Sequence, residues 1–323
     1  MIPALVLTAG LATRLRPLSF VRAKAALPVA GEPLVRRILR NLRATGVTDA
    51  VLNVHHLPHT LTRRVGDGAD LGMRVRYSWE MPVLGSAGGP RHALPLLAGP
   101  GSSSPGSTFL IVNGDTLTDA DIGAVISGHE RSGALVTMAV IPNTEPAKYG
   151  GVIVDADGIV SGFAPRGSTE RSYHFIGVQV AEAEAFAALP DNTPHESVAA
   201  LYPALMAARR GAVRAHVCTA EFMDIGTPAD YLQTSRLLSK RDGLARSFEQ
   251  GVGSTIAQSA RVEGSILWDD VEVGDGAMLR ECVVTDGVHV PGDTSWIGVT
   301  IRRAEGDLAP HERRIGDLAV ASL

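Results

Sequence analysis

Residues 4–32 combine a glycine turn with a run of cations, which is the chemistry needed to bind a polyphosphate. The apolar residues Ala4 to Leu7 end in Thr8-Ala9-Gly10, and no acidic residue follows before Glu32. A glycine turn lets backbone N–H groups approach a phosphate because no Cβ is in the way, and cationic side chains hold the oxygens. Four cations lie within eleven residues: Arg14, Arg16, Arg22 and Lys24. In a chain of net charge −4 this segment predicts a site for a triphosphate, the alternative being a solvated basic loop.

Lys24 is the most informative of these cations. The chain contains only three lysines, Lys24, Lys148 and Lys240, against 27 arginines. Arginine and lysine differ in shape and hydration, so a lysine retained inside a basic loop of an arginine-rich chain indicates a need for a compact ammonium group. We therefore predict that Lys24 contacts the phosphates.

Two aspartates in glycine turns are candidate metal ligands. Asp115 ends the stretch Asn113-Gly114-Asp115 after a predicted strand, and Asp224 begins Asp224-Ile225-Gly226 far along the chain. Carboxylate oxygens at strand ends can hold Mg²⁺ while substrate phosphates and water complete its coordination. The Gly114-Asp115 dipeptide alone is more typical of an ordinary turn.

Several motifs in this order resemble the sugar-1-phosphate nucleotidyltransferase family. Residues 7–29 are similar to the signature Gly-x-Gly-Thr-Arg-Leu-x-Pro followed by Pro-Lys and Leu-Pro-Val. The resemblance continues through residues 84–88, 113–115, 149–151 and 224–228 and spans about 230 residues. It implies an Mg²⁺-dependent enzyme that joins an NTP to a sugar 1-phosphate and releases pyrophosphate. The repeat-containing tail is most similar to that of mannose-1-phosphate guanylyltransferases.

The resemblance also implies site residues. In the family's pattern Gly10 and Leu11 line the nucleotide, Arg14 holds the leaving pyrophosphate and Lys24 bridges the phosphates. The residues implied as catalytic are Arg14, Lys24 and Asp115, and those implied as metal ligands are Asp115 and Asp224. The residues implied as nucleotide-binding are Leu7, Ala9, Gly10, Leu11, Thr13, Glu80, Gly85 and Asn113. The residues implied as sugar-phosphate-binding are Gly151, Arg166 and Gly177.

Some positions depart from the family's pattern. Ala12 replaces the second signature glycine and Ala23 the proline before the lysine, so the loop keeps its form unless position 12 needs a positive φ. Residues 163–167 lack the carboxylate expected for sugar hydroxyls, and 174–177 replace the usual Asn-Ala-Gly with His-Phe-Ile-Gly. The sugar therefore stays open among mannose 1-phosphate and related hexose or heptose 1-phosphates.

The base is predicted from Glu80, which precedes Gly85 by five residues. A carboxylate only accepts, so it can take both N1–H and N2–H of guanine, whereas the glutamine of thymidylyl- and uridylyl-type relatives suits a mixed donor and acceptor edge. This favours GTP. Thymidylyl, uridylyl or adenylyl specificity remains the alternative, as does a solvated rim position for Glu80.

The elements that position these residues follow from apolar periodicity. We predict strands at 4–7, 50–54, 74–79 and 108–112 and helices at 33–44, 58–65 and 91–97, with a flexible surface loop at 99–107. Alternating strands and helices indicate an α/β fold with a Rossmann-like, mixed and mainly parallel sheet.

The C-terminal part has a different texture. Apolar residues recur at steps of five or six from about residue 260, with glycines at the intervening turns. Such hexapeptide repeats predict a short left-handed β-helix of about two coils, the alternative being a stack of antiparallel hairpins. We therefore predict a catalytic domain at 1–245 and a β-helix with tail at 250–323.

Composition limits the other possibilities. The net charge excludes a broad nucleic-acid-binding surface, no apolar run reaches the roughly 18–20 residues of a membrane span, and the N-terminus lacks a leader pattern. Two cysteines imply neither a disulfide framework nor a zinc cluster, which fits the cytoplasm. We expect a homo-oligomer. Two other classes remain as alternatives: a non-catalytic regulatory paralogue that binds nucleotide sugar, and a bifunctional enzyme with an acyltransferase tail, for which the tail is short.

Overall fold

The computed structural model describes residues 2–98, 108–244 and 248–323, so the loop predicted at 99–107 lies outside the described residues. The chain forms two compact units. The sheet unit comprises Met1–Gly10, Arg37–Pro58 and Val65–Met223, and the repeat unit comprises Leu11–Arg36, His59–Arg64 and Asp224–Leu323, as far as these are described. This grouping differs from the predicted division between residues 245 and 250, because the basic segment after Gly10 belongs with the repeats.

The described residues form seven α-helices, and the three predicted ones are among them, two with nearly the predicted bounds. The seven helices are α1 (Leu34–Ala44), α2 (Pro58–Val65), α3 (Gly85–Leu97), α4 (Ile122–Ser132), α5 (Glu184–Ala187), α6 (Tyr202–Ala208) and α7 (Pro228–Arg241). Helix α3 starts six residues before the predicted stretch, in a glycine-rich segment with low intrinsic helix propensity. Tertiary packing explains the glycines of this turn, because a Cβ on Gly88 would collide with the Thr193 carbonyl.

The strands that precede helix α7 include all four of the predicted ones. They are β1 (Ala4–Leu7), β2 (Pro28–Val29), β3 (Glu32–Pro33), β4 (Asp49–Val54), β5 (Arg74–Trp79), β6 (Thr108–Asn113), β7 (Thr116–Thr118), β8 (Val136–Pro142), β9 (Gly151–Val154), β10 (Val160–Ala164), β11 (Tyr173–Glu182), β12 (Val213–Val217) and β13 (Phe222–Asp224). The four predicted strands correspond to β1, β4, β5 and β6.

The main sheet is mixed, as predicted, with the order β10-β9-β11-β6-β1-β4-β5, and β8 pairs with β11 and β12. Strand β1 is parallel to β4 and β6, β4 is parallel to β5, and β11 is antiparallel to β6. The continuous apolar sequence of β1 places it in the centre, where Ala4, Leu5 and Val6 are fully buried. The carboxyl ends of β1, β4, β5 and β6 lie at one edge, the usual ligand-binding edge of such a sheet.

The repeats form a parallel β-helix followed by a short antiparallel sheet. Its strands are β14 (Glu249–Gln250), β15 (Thr255–Ile256), β16 (Arg261–Glu263), β17 (Ile266–Leu267), β18 (Glu272–Val273), β19 (Met278–Arg280), β20 (Val283–Val284), β21 (His289–Val290), β22 (Ser295–Ile297), β23 (Val299–Arg303), β24 (Arg313–Ile315) and β25 (Leu318–Ser322). Three strands make one coil, and equivalent residues of successive coils are 17 apart.

The β-helix has three coils, one more than predicted: β14–β16, β17–β19 and β20–β22. Most of the predicted apolar positions from Ile266 to Val290 belong to its buried core, whereas Ile266, Trp268 and Val283 are buried outside that cluster. The prediction reached only the end of the first coil, at β16, because β14 begins with Glu249 where the equivalent strands β17 and β20 begin with Ile266 and Val283. Within the described parts of the chain, no helix is long and apolar enough to cross a membrane.

Candidate active site

The turn after β1 is held by a buried amide side chain. The Asn53 Oδ1 atom accepts hydrogen bonds from the backbone N–H groups of Thr8 at 2.5 Å and Ala9 at 3.3 Å. The Thr8 hydroxyl donates to the Asn53 carbonyl. Gly10 follows, exposed, with no heavy atom within 4 Å of the position a Cβ would take. This geometry leaves the Gly10 backbone accessible, which a phosphate-binding turn after Leu7 requires.

Glu80 supports this turn through Asn53. Its Oε1 accepts from Asn53 Nδ2 at 2.7 Å, its Oε2 accepts from the Leu84 N–H at 2.8 Å, and the residue is 0% exposed. A carboxylate that is closed to solvent and engaged on both oxygens does not offer a surface to a base. The guanine-reading role predicted for Glu80 is therefore corrected to a positioning role, and the alternative of a solvated rim position is also wrong.

Asn53 is a residue that the motifs did not identify. The sequence does mark it, because Asn53 is the one amide within the otherwise apolar stretch of β4 from Ala50 to Val54. A polar side chain in a buried strand needs hydrogen-bond partners, and here these partners are the turn after β1 and Glu80.

The ends of β1 and β6 approach each other closely. Leu7 pairs with Asn113 in parallel register, and the Gly114 N–H donates to the Leu7 carbonyl at 2.9 Å. A Cβ on Gly114 would lie 2.6 Å from that carbonyl oxygen, so only glycine fits. Asp115 follows, partly exposed, and its Oδ1 accepts from the Thr116 hydroxyl at 3.3 Å. The predicted residues Leu7, Asn113 and Asp115 therefore lie at one edge of the sheet.

Gly177 lies against the same edge. It has φ +77°, and it is located where the register of β11 against β8 shifts between Phe175 and Gln179. A Cβ there would lie 2.9 Å from Thr116 Oγ1 and 3.0 Å from Asn113 Cβ. Both the backbone conformation and the space require glycine, so Gly177 allows close packing beside Asp115.

Gly85 begins helix α3 with φ +75°. A Cβ on it would lie 2.6 Å from Glu196 Oε1, and the neighbouring Ser86 hydroxyl donates to Glu196 Oε2 at 2.7 Å. The glycine is thus accounted for by the packing of the first turn of α3. The nucleotide contact implied for Gly85 stays a prediction.

The two other predicted sugar-side residues lie on the β9–β10 hairpin. Gly151 pairs with Ala164, and a Cβ on Gly151 would collide with Ser172. Arg166 is exposed two residues beyond the end of β10. An exposed guanidinium next to this hairpin is available to an anionic ligand.

His174 forms an aromatic cluster beside these residues in β11. Its ring lies 4.1 Å from that of Tyr149 and 4.6 Å from that of Phe222, measured between centroids. Burial is the main cause that lowers the pKa of His174 to about 4; a backbone hydrogen bond with Gly150 opposes the shift and the Lys148 charge adds to it. The ring is therefore neutral near pH 7.

The basic loop, which we define as residues 11–31, belongs to the repeat unit. It contains three short 3₁₀ turns, at Thr13–Leu15, Leu18–Phe20 and Lys24–Ala26. Ala12 has φ +48° and ψ +47°, so position 12 does use the left-handed conformation that the signature glycine allows. An alanine there costs roughly 1–2 kcal/mol. Leu11 and Thr13 are both exposed.

The four cations of the basic loop differ in exposure. Lys24 is partly exposed and opens the third turn, while Arg14 and Arg16 are exposed. Arg22 is only 1% exposed and pairs with two carboxylates, Asp269 and Asp286. The prediction that four cations serve a triphosphate is corrected for Arg22, whose guanidinium charge is neutralised within the protein.

Arg14 lies close to Asp224 in the repeat unit, on either side of Gly226. A Cβ on Gly226 would lie 3.6 Å from Arg14 Nη1, 3.2 Å from Asp224 Oδ2 and 3.1 Å from Asp230 Oδ2. Asp230 is used in the capping box of α7 with Thr227. The glycine therefore leaves room for Arg14 and Asp224 to approach one another.

The two predicted metal ligands are Asp115 in the sheet unit and Asp224 in the repeat unit, and both are partly exposed. Among the described residues, no group of three or more histidine, cysteine or acidic side chains is arranged to hold a metal by itself. Two carboxylates are a donor set that fits Mg²⁺, which takes few protein ligands and completes its shell with phosphate and water oxygens.

The chain belongs to the nucleotidyl transferase family, whose model matches residues 3–241. A model for the GlmU-like C-terminal hexapeptide matches residues 250–307. Within the family the chain is a sugar-1-phosphate nucleotidyltransferase, in agreement with the motifs and the fold.

Three similar proteins illustrate this relationship. The chain is 28% identical over 300 residues to a mannose-1-phosphate guanylyltransferase of Mycobacterium tuberculosis, covering 90% of this chain and 81% of the relative. It is 33% identical over 231 residues to an N-acetylmuramate alpha-1-phosphate uridylyltransferase of Neisseria meningitidis, covering 69% and 93%. The crystal structure of HddC from Yersinia pseudotuberculosis complexed with GMP-PN shares the fold, with TM-score 0.62, 20% identity and coverage of 74% and 100%.

Proposed function

We propose that the enzyme uses GTP, Mg²⁺ and mannose 1-phosphate, or a related hexose or heptose 1-phosphate, to form a GDP-sugar and pyrophosphate. The choice of guanine as the base rests on the relative named mannose-1-phosphate guanylyltransferase, which aligns with 90% of this chain, including the repeats. The GMP-PN complex of HddC, a protein of the same fold, is consistent with a guanine nucleotide. The proposed preference for GTP does not depend on Glu80, which is buried.

The reaction needs no covalent enzyme intermediate. A phosphate oxygen of the sugar phosphate attacks the α-phosphorus of the nucleotide in line, the new P–O bond forms, and the bond to the bridging oxygen breaks so that pyrophosphate leaves with the electron pair. Catalysis of such a step consists mainly of positioning and charge neutralisation. In this proposal Arg14 stabilises the charge on the leaving pyrophosphate and Lys24 contacts the nucleotide phosphates.

The remaining roles in this proposal belong to Gly10, Arg166, Asp115 and Asp224. The backbone at Gly10, held by the Thr8–Asn53 contacts, receives phosphate oxygens, and Arg166 receives the sugar phosphate. Asp115 and Asp224 would hold Mg²⁺, which would neutralise phosphate charge and polarise the α-phosphorus.

A screen for pyrophosphate release tests the substrates. The full-length protein is incubated with each of five NTPs and a panel of sugar 1-phosphates, with Mg²⁺ or with EDTA. We expect the highest kcat/KM for GTP with mannose 1-phosphate or a close relative, and loss of turnover with EDTA that added Mg²⁺ restores. A higher kcat/KM with UTP would instead favour a uridylyltransferase, the second candidate, which the Neisseria relative represents. Absence of turnover with every pair would favour the non-catalytic paralogue.

A further inference from the structure

Arg22 is fixed to the β-helix by ionic and aromatic contacts. Its Nε donates to Asp286 Oδ2 at 2.7 Å, its Nη2 donates to Asp269 Oδ2 at 2.7 Å, and Nη2 also donates to Asp286 Oδ1. The guanidinium carbon lies 4.8 Å from the ring centroid of Trp268, which is fully buried. A guanidinium that grips one carboxylate on both oxygens and stacks on a tryptophan has a defined position and orientation.

The acidic corner of the β-helix, which we define as Asp269 and Asp286, is built to receive this cation. The two aspartates are 17 residues apart and therefore occupy equivalent positions in the second and third coils. Stacked like charges repel one another, so the corner needs a cation. Arg64 also contributes, donating from Nη2 to Asp269 Oδ2 at 2.9 Å. Burial and the Arg22 charge lower the pKa of Arg64, while the two aspartates oppose this.

The basic loop is held again on the far side of Lys24. The Tyr231 hydroxyl of α7 donates to the Pro28 carbonyl at 2.5 Å and accepts from Trp268 Nε1 at 3.1 Å. Burial raises the pKa of Tyr231 well above its ordinary value, so the hydroxyl keeps the proton that it donates. The Ala30 N–H donates to Ser235 Oγ at 2.7 Å. The tryptophan under Arg22 thus also takes part in the contact at Pro28.

Lys24 lies in the short span between these two points of attachment. It is two residues from Arg22 and four from Pro28, and the intervening Ala23 N–H donates to Thr60 Oγ1 at 3.1 Å. The lysine backbone therefore has little freedom as long as both attachments hold. A further contact lies upstream, where the Phe20 ring is 5.2 Å from the guanidinium carbons of both Arg16 and Arg302.

We infer that Asp269 and Asp286 are positioning residues for the reaction, which act through Arg22 on the placement of Lys24. This inference rests on the phosphate role proposed for Lys24. It assigns the second and third coils of the hexapeptide region a part in catalysis, beyond any role in assembly. Arg22, Asp269 and Asp286 touch no substrate in this scheme, and their effect passes entirely through the lysine.

The test is a double-mutant cycle in the full-length protein. The Asp269→Asn/Asp286→Asn variant should lose about 10- to 100-fold in kcat. A small displacement of a side chain that contacts the reacting phosphates has an effect of this size. The KM for the sugar 1-phosphate should change less than about twofold, because the sugar-side residues lie elsewhere. In a Lys24→Ala background the same two substitutions should cause little further loss. An equal additional loss in that background would contradict the inference, since it would show that the aspartates do not act through Lys24.

A second measurement separates this inference from the proposed role of Lys24. Amide hydrogen exchange of residues 18–31 should become at least about tenfold faster in the Asp269→Asn/Asp286→Asn variant, because local opening is governed by lost contacts. The control is Glu272→Gln, which removes an exposed carboxylate charge from the second coil and should leave exchange of this loop and kcat unchanged. Arg22→Lys, which keeps the charge but not the two-oxygen grip, should give an intermediate exchange rate and an intermediate kcat.

The outcomes are distinguishable. Unchanged exchange of the loop would overturn the inference while the role of Lys24 stands. Full activity of Lys24→Ala would instead overturn the proposed role of Lys24 and, with it, the catalytic consequence of the acidic corner, even if exchange of the loop increased.

Discussion

The sheet unit and the repeat unit hold their predicted site residues with different chemistry. In the sheet unit the turn after β1 depends on hydrogen bonds among Thr8, Asn53 and Glu80, which lie in or directly after three neighbouring strands, β1, β4 and β5. In the repeat unit the basic loop depends on ion pairs between Arg22 and carboxylates 247 and 264 residues further along the chain. The hydrogen bonds of the turn join residues 45 and 27 positions apart that the pairing of neighbouring strands brings together, whereas the ion pairs exist only once the coils have formed.

The largest effect is expected at Lys24, in the repeat unit. Lys24→Ala should lower kcat by about 100- to 1,000-fold or more, the range for loss of one charge-stabilising donor, with little change in Tm. Lys24→Arg should recover little, because the guanidinium is larger and planar. Lys240→Ala at the end of α7 is the matched control and should retain activity. A near-normal kcat for the arginine variant would refute the argument from lysine scarcity.

One carboxylate in each unit provides the next comparison. Asp115→Asn and Asp224→Asn should each lower kcat by about 100-fold and raise the Mg²⁺ concentration needed for half-maximal rate, since an amide lacks the charge that a metal ligand supplies. Titration of Mg²⁺ in steady-state assays measures both effects. If only one of the two variants changed its Mg²⁺ response, the metal would be held by that unit alone.

Glu80→Gln separates a positioning role from base recognition. The glutamine NH₂ would face either the Asn53 amide or the Leu84 N–H and leave a buried donor unpaired, at a cost of about 1–3 kcal/mol in the free energy of unfolding. Urea denaturation measures this loss. The kcat/KM values for GTP, UTP and dTTP should fall in equal proportion, and a selective loss for GTP would restore the base-reading role.

A smaller effect is expected from His174 at low pH. Its pKa of about 4 lies below the ordinary 6.5, so the unfolded chain binds more protons between these values and stability falls as the pH drops from 6.5 towards 4. Partial exposure of the ring limits the effect to about 1 kcal/mol, or about 2–4 °C in Tm. His174→Phe should lose less Tm than the wild type between pH 7 and pH 5. An identical pH dependence for the two proteins would mean that His174 titrates normally.

The smallest effect concerns Ala12 in the basic loop. Ala12→Gly relieves the left-handed strain but adds freedom to the unfolded chain, so a net gain of about 0.5–1 kcal/mol in unfolding free energy is expected. Ala23→Gly is the matched control, because Ala23 has φ −57°, and it should instead lose a similar amount. Destabilisation by both substitutions would show that Ala12 carries no strain.

Much of the sheet unit could be predicted from the sequence. Strands β1, β4, β5 and β6 are predictable because short apolar runs bounded by turn residues are typical of buried strands, and the glycines at 114 and 177 lie where close packing demands them. The burial of Glu80 was missed because its partners are an amide side chain and a backbone N–H that no motif marks.

The repeat unit was harder to predict for a physical reason. The apolar pattern identified the second and third coils and only the end of the first, because β14 begins with Glu249 where β17 and β20 begin with Ile266 and Val283. The grouping of the basic loop with the repeats depends on single side chains such as Arg22, which looks like any other cation of the loop in sequence. The sequence does not indicate that Asp269 and Asp286, which are 17 residues apart, lie one above the other in successive coils and both accept hydrogen bonds from the Arg22 guanidinium.

The reaction itself is tested most directly by ³¹P NMR of the products. Wild-type protein is incubated with GTP, mannose 1-phosphate and Mg²⁺, and the phosphorus signals are followed with time. Transfer at the α-phosphorus predicts equal amounts of pyrophosphate and a GDP-sugar, with no orthophosphate as a primary product. Formation of orthophosphate and GDP without a nucleotide sugar would place cleavage at the γ-phosphorus and contradict the account.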